Sequence, residues 1–219
     1  MNLLSVHNTA FTVLGYPMSY IEFVGTILYL WSVWLIAKRR VLTWPVGIVS
    51  VLLYMALFYQ IRLYSDTLEQ IYYLVACTYG WWRWAGSQTG KGEITDVRFS
   101  AARGVFIAIA VTIVLSIADG YLMSRVHLFA PKLFPEQASY PYLDALTTIM
   151  SFTAMWLMAL KRIESWIYWI IVDVIGIGLY YAKDVKFVSL LYVILLFLAI
   201  KGLWSWINTY RMPGGGGTE

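Results

Sequence analysis

Charge is what this chain has least of. Only 13% of its 219 residues are Asp, Glu, Lys or Arg, against roughly 25% in an average globular chain, while 60% are hydrophobic. So few charges cannot coat a soluble domain with that much apolar surface to hide, and lipid is the solvent that fits. One cysteine, Cys77, excludes an intrachain disulfide and any multi-cysteine metal site. Two histidines, His7 and His127, stand far apart outside the apolar runs, which argues against a His-based metal centre. The net excess of four positive charges is small and scattered, with no footprint for nucleic acid. Hydrolase, kinase and phosphate-loop motifs are missing as well. The run Gly80–Trp84 opens with glycine, but its bulky rings would block the backbone amides that such loops use. Too few ionisable groups remain to assemble an acid, a base and a nucleophile inside a membrane, so neither catalysis nor a cofactor is expected.

What is abundant is aromatic: 17% of residues, with eleven Trp and seventeen Tyr, the rings that gather at membrane interfaces. A spanning helix needs about 20 mostly apolar residues. Seven runs qualify: Tyr20–Ala37, Leu42–Ile61, Leu68–Trp84, Val105–Leu122, Tyr142–Leu160, Ile163–Ala182 and Phe187–Ile207. The fourth has a short core, crowded by Arg103 and Asp119. Residues 1–19 hold no spanning run and lack the cationic start and cleavage site of a signal peptide. They read as an exposed or interface-lying lead-in. Residues 209–219, with Gly214–Gly217, read as a flexible tail. Counting Lys and Arg by side gives eleven with the C-terminus and five opposite. The expected topology therefore has the N-terminus outside and the C-terminus in the cytoplasm.

Laid on itself at an offset of 122, the sequence shows an internal repeat. Tyr20 meets Tyr142, Trp34 meets Trp156, Trp44 meets Trp166, and Gly80, Trp82 and Trp84 meet Gly202, Trp204 and Trp206. From position 20 to 84 there are sixteen identities in 65 gapless pairs, and eight of the eleven tryptophans fall into four of them. Tryptophans recurring merely because every helix has an interface would not keep one register. Two three-helix repeats (20–86 and 142–208) then flank a loop and linker helix (87–141). An odd repeat following itself would be inverted; the linker helix restores its direction. The expected fold is an all-α polytopic membrane protein with seven transmembrane helices in a 3+1+3 arrangement, two parallel repeats around a twofold axis along the membrane normal. Such repeats are a transporter architecture with the substrate site near the midplane, and 3+1+3 is the layout of the sugar-transporting SWEET proteins.

An ionisable residue deep in a span costs at least ~2.5 kcal/mol and is a functional candidate by default. Asp173 lies halfway along the sixth run. Trp166, Trp169, Asp173, Gly176 and Tyr180 fall at i, i+3, i+7, i+10 and i+14 and so share one helix face. Two indole planes, a carboxylate, a gap and a phenol suit a flat ring, stacked, beside a hydroxylated group. A cationic ring would gain ~2 kcal/mol of cation–π attraction in a dry site, with the carboxylate balancing its charge. The competing reading places both tryptophans in the interface belt and hydrogen-bonds Asp173 to a neighbouring helix. Gln70 and Tyr73, one stripe with Cys77 and Gly80 on the third run, add polar groups for binding or for plain helix contacts. Glu22, Gln60 and Asp144, near the outer ends of their runs, read as rim or gate residues.

Several stretches then resemble the PnuC family of vitamin transporters. They are Tyr20-Ile-Glu-Phe-Val-Gly-Thr, Trp44-Pro-Val-Gly-Ile, Phe58-Tyr-Gln-Ile-Arg-Leu-Tyr, Gln70 followed by Tyr79-Gly-Trp-Trp-Arg-Trp, and Trp166-Ile-Tyr-Trp-Ile-Ile-Val-Asp173. The similarity runs from about residue 16 to 210. It implies the 3+1+3 fold, a homotrimer in a bacterial cytoplasmic membrane, and import of nicotinamide riboside by facilitated diffusion, with a cytoplasmic kinase trapping the nucleoside. The family's Trp-x-x-Trp pattern falls on Trp166 and Trp169 and its following polar position on Asp173, where some members carry Asn. Relatives with the same motifs carry thiamine or riboflavin. Thiamine, also a cationic aromatic, would satisfy Trp166, Trp169 and Asp173 equally, and a non-transporting receptor or scaffold would need only packing roles for every polar residue.

Overall fold

The computed structural model describes residues 5–212 except 7, 14, 91 and 130–138. His7, Lys91, Lys132 and the glycine tail 214–217 lie outside the described residues. Seven helices carry the chain: α1 Tyr20–Ala37, α2 Thr43–Gln60, α3 Tyr64–Ala85, α4 Ala102–Phe129, α5 Pro141–Ala159, α6 Glu164–Ala182 and α7 Lys186–Arg211. Five of them, α1, α2, α4, α6 and α7, are long and apolar enough to cross a membrane. The other two, α3 and α5, pack on each other, and there the Tyr72 hydroxyl donates to the Phe152 carbonyl across 2.7 Å. The short, charge-crowded fourth run becomes the longest helix, because α4 starts at Ala102 and puts Arg103 in its first turn.

Ahead of the seven helices lies one short stretch of strand. Part of the lead-in forms an antiparallel hairpin, β1 (Thr9–Val13) with β2 (Tyr16–Ser19). Its β-branched Thr and Val residues suit a strand, and Gly15, with φ at +83°, turns the chain between them. Ser19 then caps α1, its hydroxyl accepting from the Glu22 amide, in a Ser-x-x-Glu start.

The packing is organised as two trios. In one, α2 packs on α1 and α3; in the other, α6 packs on α5 and α7. The trios meet at α1 with α7 and at α3 with α5, while α4 packs on α5. The described non-glycine residues with positive φ are Arg39, Arg62, Lys161 and Asp184, two pairs 122 positions apart. Each ends a helix in the same way. After α1, Arg40 N–H reaches the Leu35 carbonyl at 3.0 Å and Arg39 N–H reaches Ile36 at 2.9 Å; after α5, Arg162 reaches Leu157 at 2.9 Å and Lys161 reaches Met158 at 3.0 Å. This double closure satisfies carbonyls that a helix end leaves free.

The loop between α3 and α4 ties these two corners together. Ile94 N–H donates to the Arg39 carbonyl at 3.0 Å, and Arg98 N–H donates to the Lys161 carbonyl at 3.1 Å. Ion pairs reinforce both ends: Arg40 with Glu93 at 3.0 Å and buried Lys161 with Asp96 at 2.7 Å. Between them, the side chains of Ile94 and Val97 are completely buried in the core.

Candidate binding cavity

A cavity of about 320 Å³ lies between the trios, walled by α1, α2, α3, α5, α6 and α7. Its floor is aromatic. Trp44 and Trp166, in the first turns of α2 and α6, are 1% exposed. Each indole lies against a glycine of the following helix. A Cβ added at Gly80 would stand 2.4 Å from the Trp44 ring, and one at Gly202 would stand 2.5 Å from Trp166. Trp84 and Trp206 complete a row, with ring centroids 5.1 Å apart for Trp44–Trp84, 5.8 Å for Trp84–Trp206 and 5.7 Å for Trp206–Trp166. The middle two indoles bond across the trios: Trp84 Nε1 donates to Ala159 O at 3.2 Å and Trp206 Nε1 to Ile36 O at 3.0 Å. The indole N–H groups of Trp44 and Trp166 are buried with no partner among the described residues.

The sequence candidates divide into two groups. Trp166, Trp169, Asp173, Gln70 and Tyr73 all line the cavity. Trp166 is held in the floor between Gly202 and Trp206, whereas Trp169, half-buried, is a wall residue with a less confined ring. Asp173 is 2% exposed. Among the described residues no hydrogen bond or ion pair reaches its carboxylate, and it is the one charged side chain in the cavity lining. The phenols of Tyr29 and Tyr192, one from each trio, line the same cavity.

The second group sits elsewhere. Tyr180 shares the helix face, as its spacing requires, but lies beyond the lining and stacks on Tyr192 with centroids 5.3 Å apart. Glu22, Gln60 and Asp144 do not line the cavity either. Glu22 accepts from the Tyr16 hydroxyl of the hairpin at 2.9 Å, and Gln60 Oε1 accepts from Val6 N–H at 3.2 Å. Asp144 pairs with Lys183 at 2.8 Å. Tyr16 also stacks on Phe187 at the start of α7, centroids 5.8 Å apart, so the hairpin touches both trios at the end opposite the floor.

Sequence reasoning missed other wall residues, among them Tyr29, Ser50, Tyr54, Tyr192 and the floor residue Trp44. A usable signal was present. Shifting Trp166, Trp169, Asp173, Gln70, Tyr73 and Tyr180 by 122 gives Trp44, Gly47, Val51, Tyr192, Leu195 and Phe58, and all six line the cavity. Some wall hydroxyls are already engaged. Ser50 donates to the Gly25 carbonyl at 2.9 Å, and Tyr54 pairs with Thr26 at 2.7 Å. The described residues hold no cluster of three or more His, Cys, Asp or Glu fit for a metal ion.

A mainly apolar cavity between two helix trios, in a chain with five helices long and apolar enough to cross a membrane, fits a multi-pass membrane transporter. Comparison with known proteins adds the lineage. Residues 19–208 match the nicotinamide mononucleotide transporter family, and the chain belongs to that family, which includes the PnuC transporters. It is 30% identical to the nicotinamide riboside transporter PnuC of Escherichia coli (strain K12), over 91% of this chain and 90% of that protein. A second relative, the riboflavin/roseoflavin transporter RibM of Streptomyces davaonensis, is 29% identical over 92% and 91% of the two chains. The fold matches the crystal structure of the vitamin B3 transporter PnuC with a TM-score of 0.69, at 22% identity, covering 88% of this chain and 82% of that one. These relatives are transporters, not enzymes.

Proposed function

We propose that the chain imports nicotinamide riboside by facilitated diffusion, with a cytoplasmic kinase trapping the nucleoside by phosphorylation. The observation that carries this reading is Asp173: a buried carboxylate with no partner among the described residues, in a cavity that also offers the half-buried indole of Trp169. The pyridinium ring of the nucleoside stacks on Trp169 above the Trp166 floor and supplies the positive charge that Asp173 lacks. Gln70 and Tyr73 take the amide or the ribose hydroxyls. Among the described residues no Lys or Arg lines the cavity, so the unphosphorylated nucleoside is the fitting cargo although the family is described by the mononucleotide.

The same reading takes the seven helices as seven spans in a 3+1+3 arrangement, assembled as a homotrimer in a bacterial cytoplasmic membrane. The repeats are 20–86 and 142–208, with 87–141 as the linking segment, 1–19 as a lead-in and 209–219 as a tail. Matched helix ends at Arg39 and Lys161, matched indole–glycine contacts at Gly80 and Gly202, and the reciprocal meetings of α1 with α7 and α3 with α5 support it. By charge count the floor and the strap, the α3–α4 loop that carries Ile94 and Val97, face the cytoplasm and the hairpin faces outward, where Glu22, Gln60 and Asp144 form the rim.

A second reading, transport of a flavin, is favoured by the RibM relative at nearly the same identity and coverage. Flux decides between them. Purified protein in liposomes, with kinase and ATP inside, should accumulate labelled nicotinamide riboside, and unlabelled riboside should block uptake where riboflavin and thiamine do not. Uptake of riboflavin or thiamine instead would reassign the cargo. No flux of any vitamin, with equilibrium binding retained, would make the chain a receptor.

A further inference from the structure

The cavity wall is built from equivalent positions. Ten pairs of lining residues stand 122 apart in sequence, one member from each trio. Several pairs are alike: Trp44 with Trp166, Ile36 with Met158, Val33 with Met155. A wall of identical halves would offer an asymmetric ligand two equivalent poses, so orientation and selectivity must come from pairs that differ. The largest difference in size is Gly47 against Trp169; the next turn sets Val51 against Asp173.

Gly47 lies inside α2, where glycine is among the least favourable residues. Some helical glycines have a packing reason, although Gly25, Gly104 and Gly178, like Gly47, show no such tight contact. At Gly80, Gly176 and Gly202 an added Cβ would fall 2.4–2.6 Å from an aromatic ring of the adjacent helix. Gly47 has none: the closest atoms to such a Cβ are Cys77 Sγ at 3.5 Å and Ser32 Cβ at 3.9 Å, ordinary contact distances. Packing tolerates a methyl group there, and the room that glycine leaves belongs to the cavity.

We propose that Gly47 sets the size of the aromatic ring this transporter accepts. A ring stacked on Trp169 extends toward the α2 wall into the space where the equivalent position of the other trio carries an indole. Bulk at position 47 therefore rejects ligands by ring size while leaving the contacts of Asp173 and Gln70 intact. This inference rests on the cavity being the transport site.

The test is equilibrium binding to the purified full-length protein in nanodiscs, with nicotinamide riboside (one ring), thiamine (two separate rings) and riboflavin (three fused rings) as probes. Gly47→Ala, Gly47→Ser and Gly47→Val are compared with the parent chain, with Trp169→Ala as control. Gly47→Ala and Gly47→Ser should melt no lower than the parent. The Kd of the bound vitamin should rise with each increase in side-chain size, by at least about tenfold for valine, and the preference for one ring over three should sharpen. If valine prevents folding, alanine and serine carry the same gradation. Folded Gly47 variants with unchanged Kd values, where Trp169→Ala loses binding, would overturn the role of Gly47 alone. Binding left unchanged by Trp169→Ala as well would overturn the cavity reading on which it rests.

Discussion

Trp169 and Trp166 occupy successive turns of one helix face, yet the structure gives them different work, and truncating each separates the two roles. Trp169 is half-buried in the cavity wall, whereas Trp166 is 1% exposed and wedged between Gly202 and Trp206. Removing the Trp169 ring forfeits the stacking surface, about 1–3 kcal/mol for a flat heterocycle, with up to about 2 kcal/mol when the ring is cationic and desolvated. Since the two contributions overlap, about 2–4 kcal/mol is expected, a Kd increase of roughly 30- to 1000-fold. Trp169 packs only partly buried against the floor cluster, so Trp169→Ala should lower the melting temperature less than Trp166→Ala does. For Trp166→Ala the order reverses. Emptying a buried Trp site costs about 3–5 kcal/mol of stability and should show first as a lower melting temperature. Calorimetric titration with nicotinamide riboside, paired with thermal melts of the same samples, reads both quantities. If Trp169→Ala binds within about threefold of the parent chain, less than 1 kcal/mol, the ring does not stack there and the reasoning fails.

Asp173→Asn keeps the shape and removes the charge. A charge-assisted contact exceeds a neutral one by about 1–2 kcal/mol, so binding of the cationic riboside should weaken about 5- to 30-fold while any binding of uncharged riboflavin stays level; equal loss for both would contradict charge balance. Nicotinamide mononucleotide should compete at least about 100-fold less well than the riboside, because its phosphate would meet a carboxylate and no cation, leaving an uncompensated buried charge; competitive uptake measures this, and equal competition would refute it. Gly80→Ala and Gly202→Ala force a methyl group into the Trp44 and Trp166 rings and should each destabilise by about 1–3 kcal/mol, read as a lowered melting temperature with unchanged preference among vitamins. At the hairpin, burial and the Glu22 carboxylate push the Tyr16 phenol up to about 12, from an ordinary value near 10. The proton it donates is therefore held below pH 10, and docking is lost only as pH rises toward about 12. Protease cleavage of the hairpin should be flat from about pH 7 to 9 and faster in Tyr16→Phe, and a rise within that range would refute the assignment.

Much of this was legible in the residues. Apolar runs mark six of the seven helices to within four residues, since helix length and lipid solubility both follow from composition; α1 matches its run end to end, while α4 continues seven residues past its run to Phe129. The 122-residue offset carries further than its identities suggest. It pairs Trp44 with Trp166, Gly80 with Gly202 and the chain-reversing corners Arg39 and Lys161, because equivalent packing demands equivalent residues where rings meet backbones. The fate of Trp166 was not legible: helical spacing puts Trp166 and Trp169 on one face but does not say which ring a neighbouring glycine will receive. The strap of Ile94 and Val97 was equally hidden, being a segment without periodicity whose two apolar residues matter only once the Arg39 and Lys161 corners are brought to its edges. Glu22, Gln60 and Asp144 were placed near the outer helix ends by position alone. Their partners Tyr16, Val6 and Lys183 come from the folded chain.

The central claim is that a flat cationic nucleoside occupies the cavity between Trp169 and Asp173. A cryo-electron microscopy map of the protein in nanodiscs saturated with nicotinamide riboside tests it most directly. The account predicts ring-shaped density parallel to the Trp169 indole, its positive ring beside the Asp173 carboxylate and its ribose within hydrogen-bond distance of Gln70 or Tyr73. Density for the ligand at any other place, with the Trp169 face bare, would contradict it.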